Sequence, residues 1–214
     1  MVFFSASVVW LVWMRSYGGN VSRRGLFIVF AIGIISGPVA GSLTHFLRTA
    51  FNVEIGSSIA ANFFVFFLLV GPIEEVSKFI AAFISSHRRN DFSNSADGIL
   101  VAVSAALGFA AGENVLYLNV YGPETTFLRL IFTNIAHVVF SVIWGYALGV
   151  VLHESASISF LIAALVIGSI LHGAYDFFLL LHTVTAAIVL VAMIPALYWV
   201  MSFLRIELER NRRQ

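Results

Sequence analysis

The chain contains no cysteine, so disulfide staples, thiolate metal ligands and cysteine nucleophiles are all excluded. Charge is nearly as scarce. Asp, Glu, Lys and Arg make up 11% of the 214 residues, too few to cover a soluble domain of this size. No HExxH occurs, and no serine sits in a nucleophile-elbow setting, so the usual zinc-protease and serine-hydrolase signatures are missing. Internal repeats, low-complexity linkers and a separate soluble domain are missing too. What the chain has in quantity is apolar bulk. Hydrophobic residues account for 60% of it, with 21 phenylalanines, and the mean hydropathy is +0.96. Such a sequence is soluble in a bilayer, where each helical crossing needs about 20 apolar residues.

Seven long apolar stretches are present, at roughly 1–14, 25–47, 57–84, 97–120, 127–152, 158–181 and 183–204. They are continuous rather than alternating, which predicts helices and not barrel strands. The fold class expected is therefore all-α: a polytopic transmembrane bundle of about seven spans, with residues 1–214 forming one membrane domain. The first stretch lacks a basic leader and a small-residue cleavage site, and is read as a retained helix. In the third, Gly71-Pro72 removes a backbone donor and predicts a kink. If all seven stretches cross, one side of the membrane collects Arg15, Arg23, Arg24, Arg88, Arg89, Arg205, Arg210, Arg212 and Arg213. The other side has only Arg48 and Arg129. The positive-inside rule then puts the N-terminus outside and the C-terminus in the cytoplasm. Multi-pass localisation in a cell membrane is expected, with the lipid bilayer as a partner and no nucleic acid.

An ionisable side chain at mid-bilayer costs at least about 2.5–3.5 kcal/mol on insertion scales, so one retained there points to function. The third span holds Glu74, Glu75 and Lys78 within two turns. Lys78 stands at i+4 from one acid and i+3 from the other, so it can pair with one and leave its neighbour available. The fourth span carries Glu113 and Asn114, with Tyr117 a turn later. Asn134 and His137 follow in the fifth. In the sixth, His172 and Asp176 share a face at i, i+4, where a carboxylate fixes the tautomer and orientation of a histidine. A rise of about 1.5 Å per residue makes one shared cavity feasible. Carboxylates and histidines gathered in low dielectric are the ingredients for activating water, with a carboxylate as general base and a histidine or asparagine beside the oxyanion. The same residues are also ligands of the kind that hold zinc.

The ordered motifs Glu74-Glu75-x-x-Lys78, Glu113-x-x-x-Tyr117, lone His137 and His172-x-x-x-Asp176 resemble those of the PrsW family of intramembrane proteases, in the larger group that includes the type II CAAX prenyl endopeptidases. The motif region covers residues 71 to 176, within a catalytic core of approximately 57–181. Gly112 stands before Glu113 where that family's pattern carries an aromatic. The resemblance implies an endopeptidase of the bacterial cytoplasmic membrane, making the first cut in a single-span anti-sigma factor during a stress response. By similarity to the prenyl endopeptidase branch, it implies metal-free water activation with Glu75 as base and Glu74 as its partner. His172 and Asp176 would lie near the oxyanion, Glu113 would share in water activation, and His137 completes the catalytic set. Lys78, Tyr117 and Asn114 are supporting residues. No cofactor is favoured. Were the enzyme metal-dependent, zinc on Glu75, Glu113, His137 and His172 would be the expectation.

Rival functions from other classes are a secondary transporter or proton-coupled protein using the same acids, and a catalytically silent scaffold. Among enzymes, a zinc-dependent intramembrane protease and a prenyl-protein endopeptidase stay open. His45, His87, His153 and His182 fall near span ends, where histidine costs little, and are given no chemistry. Gly33, Gly37 and Gly41 form small-xxx-small spacings, read as close helix packing within the chain.

Overall fold

The computed structural model describes residues 7–9, 11–12, 20–86, 94–154, 156–181 and 183–212, and everything described is helix or short connection. Six of these helices are long and apolar enough to cross a membrane. The expected stretch at 1–14 falls mostly outside the described residues; of it, residues 7–9, 11 and 12 are helical, with Ser7 and Leu11 buried. His87 and His182 also lie outside them.

Helix α1 (Arg23–Ala50) starts at Ser22, whose hydroxyl accepts from the Gly25 N–H at 3.1 Å, the usual remedy for an orphan amide at a helix start. Helix α2 runs through Ile59–Phe63, a π-helical Phe64–Val70 and Gly71–Ser86. The break expected at Gly71-Pro72 thus takes the form of a π stretch. The Gly71 N–H reaches back five residues to the Phe66 carbonyl, so the ladder widens just before the residue that has no N–H to give. The segment Ser95–His153 breaks at Gly122, whose φ of 81° and ψ of 178° favour glycine. Helix α3 is Ser95–Gly122, and the crossing part of α4 is Phe132–His153. Helices α5 (Ile158–Leu181) and α6 (Thr183–Arg212) complete the bundle.

Burial ranks the helices. In the apolar window of α3, 83% of residues are buried and in that of α4, 72%, against 17% for α6. The other helices surround the α3–α4 pair and send Ile35, Val39, Leu68, Val166 and Val191 outward, a surface that only lipid tails would solvate. Glycines let the inner helices close up. A Cβ on Gly33 would meet the Ala105 carbonyl at 2.6 Å and one on Gly37 the Phe109 carbonyl at 2.8 Å; Gly108 and Gly112 face Phe30 and Ile34 of α1 in the same way. The small-residue spacing in α1 is therefore a packing seam within the chain, and it explains Gly112. An aromatic there would drive into the α1 backbone. A second seam joins Gly71 of α2 to Ser169 and Gly173 of α5, drawing the two acids of α2 against His172.

Candidate active site

The neighbouring acids of α2 have opposite environments. Glu75 is wholly buried and fully partnered. Its Oε1 accepts from Lys78 Nζ at 2.6 Å and His172 Nδ1 at 2.8 Å, its Oε2 from Trp144 Nε1 at 2.8 Å and Ser141 Oγ at 3.1 Å. Four donors saturate the carboxylate. Glu74, one residue earlier, lines a cavity, and its Oε2 is buried without a hydrogen-bond partner. Lys78 is equally deep, over the Phe109 ring at 4.8 Å and donating also to His137 Nδ1 at 2.8 Å. An ammonium has only donors to offer, so His137 must accept through Nδ1 and carry its proton on Nε2, which faces Glu113 Oε2 at 3.1 Å.

The imidazole of His172 is similarly fixed. Nδ1 points at Glu75, and Nε2 turns toward Glu74 Oε2 at 3.5 Å and Asp176 Oδ2 at 3.6 Å. Phe140 stacks on its ring with centroids 5.2 Å apart. The cavity these groups line has a volume of about 580 Å³ and includes Glu74, Glu113, His137, His172 and Asp176. It occupies the bundle end where α1, α3 and α5 finish and α2 and α4 begin, the side assigned to the exterior by the arginine distribution.

All six residues expected to act thus gather in one place, though on two layers: Glu75 lies beneath the cavity floor. Lys78 belongs to the same lower layer, Tyr117 lines the cavity, and Asn114 and Asn134 are buried. His45, expected to be uninvolved, stands on the cavity wall. Sequence reasoning missed Ser141 and Trp144. They follow His137 at i+4 and i+7, so one face of α4 carries all three, and that spacing was the available signal. Among the described residues, the donor atoms close enough to share a metal belong to Glu74, His137 and His172, within 4.8 Å of one another. Of the expected ligand set, His137 and His172 are in this group, Glu75 and Glu113 are not, and Glu74 supplies the carboxylate instead.

Carboxylates and histidines lining a cavity at one end of an apolar helical bundle have the chemistry that water activation within a membrane requires. A family model described as PrsW family intramembrane metalloprotease matches residues 22–202, and the chain belongs to that family. It is an intramembrane protease in a multi-pass membrane protein. Curated relatives agree. The chain is 34% identical over 191 residues to a Protease PrsW of Shouchella clausii, covering 87% of this chain and 85% of that one. It is 39% identical over 120 residues, 55% of each chain, to a Protease PrsW of Bacillus subtilis. With the Protease PrsW of Clostridioides difficile it shares 26% over 200 residues, 89% of this chain and 83% of that one. No solved structure matches the chain significantly.

Proposed function

We propose that the protein cuts a single-span membrane protein by glutamate-activated water, with Glu74 as the base in place of Glu75. An anti-sigma factor is the substrate class implied by the motif resemblance. The observation that carries this reading is Glu74 Oε2, without a hydrogen bond and with only His172 Nε2 at 3.5 Å, in the cavity beside a neighbour whose four acceptor positions are filled. Water held on that oxygen gives up a proton to it and adds to the peptide carbonyl carbon. The oxyanion so formed needs a donor, and both His172 Nε2, when protonated, and the Nε2–H of His137 face the same cavity. Glu74 then returns the proton to the leaving amine as the C–N bond breaks. Glu75 takes no proton; it holds His172 in position.

Glu74, His137 and His172 also fit a divalent metal in number and kind, as the three protein ligands of an open catalytic zinc. Glu75 orients His172 as a carboxylate orients a metal-bound histidine. Such a metal would polarise the scissile carbonyl and make its bound water more acidic. The contact of Lys78 with His137 favours the metal-free scheme, because it leaves the histidine proton on the nitrogen that would have to ligate. Co-expression with single-span reporter proteins tests the site. Glu74→Gln and His172→Ala should both abolish cutting, and undiminished cutting in both would sink the assignment. Chelation and elemental analysis of the purified protein decide between the schemes: stoichiometric zinc with activity lost on its removal would replace the metal-free one.

A further inference from the structure

Gly37, Gly41, Thr44 and Arg48 succeed one another at i, i+4, i+7 and i+11 on α1, and all four line the cavity. The first two carry no side chain that intrudes. The last two are polar and unsatisfied: Thr44 Oγ1 and Arg48 Nε are both buried with no hydrogen-bond partner. Arg48 is the only Arg or Lys among the described residues lining a cavity whose other formal charges are the carboxylates of Glu74, Glu113 and Asp176. Arg48 as a whole is only partly buried, but its Nε is shut off from water and no described acid pairs with it, which leaves an incomplete ion pair. Its place in the cavity lining makes its partner something that enters the cavity.

We infer that Arg48 and Thr44 form a recognition subsite for an anionic side chain of the polypeptide substrate, on the outer side of the bond cut. This deepens the proteolytic reading and rests on it. Gly37 lies beside Glu113, and Arg48 is eleven residues further along the helix, about 16 Å at 1.5 Å per residue. Allowing for the length of the arginine side chain, the acid sits about three to five residues of extended chain from the scissile bond.

Binding can be read without cleavage by using the Glu74→Gln variant in phosphatidylcholine nanodiscs. The probes are labelled single-span peptides with one Asp, Asn or Lys at successive positions in their outer third. At one or two adjacent positions, Asp should bind about tenfold tighter than Asn, the size of one charge-assisted hydrogen bond. Adding Arg48→Gln should erase the difference, and Arg48→Glu should transfer the preference to Lys. The absence of any position-dependent Asp preference, or its survival in the Arg48→Gln background, overturns the subsite. Neither result bears on whether Glu74 is needed for cleavage, so the two readings fail separately.

Discussion

The bundle buries carboxylates at both ends, and they are treated in opposite ways. At the end where α3 begins, Glu207 of α6 accepts a hydrogen bond from Ser95 Oγ, and Arg210 Nη2 reaches it at 3.0 Å. Arg210 also bridges to Glu154 at 3.0 Å, and Asp97 accepts from the Asn20 N–H at 2.7 Å. The buried carboxylates described at this end, Glu207 and Asp97, both have donors. At the other end Glu74 faces a cavity, and its Oε2 has no hydrogen bond, only His172 Nε2 at 3.5 Å. Burial of an acid therefore says little about its role, since Glu207 and Glu74 are both buried. An unfilled acceptor beside accessible volume separates chemistry from cohesion, because desolvating an unpaired group costs stability that only function repays.

Substitutions can sharpen or break this contrast. Glu74→Gln should lower proteolysis by at least about 10²–10⁴-fold, the range for loss of a general base, while the midpoint of unfolding in detergent stays the same or rises. A large loss of stability would show that Glu74 is structural after all. Lys78→Met should instead lose about 3–5 kcal/mol of stability in the same unfolding assay, since it strands the Glu75 charge in the core. Trp144→Phe removes one of four donors to that carboxylate, so about 1 kcal/mol of stability and roughly tenfold in turnover are expected, with substrate affinity kept. At the end opposite the cavity, Glu207→Gln should be worth about 1 kcal/mol or less and leave proteolysis at the wild-type rate. Impaired cleavage there would mean that the two ends are coupled.

Much of this arrangement was legible in the sequence. The stretch 158–181 coincides with α5, and the ends expected for α1, α2 and α3 lie within three residues of those observed, because continuous apolar runs have few ways to be solvated in lipid. The gathering of Glu74, Glu113, His137 and His172 followed from the cost of leaving each alone in a span. The division of labour between the two acids was not legible. Lys78 stands one turn from both, and spacing alone cannot say which it takes. The answer depends on how the π stretch and the Gly71–Gly173 seam rotate α2, and on Ser141 and Trp144 arriving from another helix. Gly112 looked like a departure from a motif for a similar reason, since its explanation lies in the backbone of α1.

The pairing of Lys78 with Glu75 also bears on how the chain enters the membrane. Their contact lies within a single helix, three residues apart, so it can form as soon as α2 is helical, before any neighbour has arrived. The segment then partitions into lipid carrying an internally neutralised pair and one acid, instead of three separate charges. The remaining donors to Glu75, from α4 and α5, are added when the helices associate. Adjacent residues thus enter the bilayer differently: one glutamate travels already paired within its own helix, and the other meets its histidine neighbour only when α5 packs against α2.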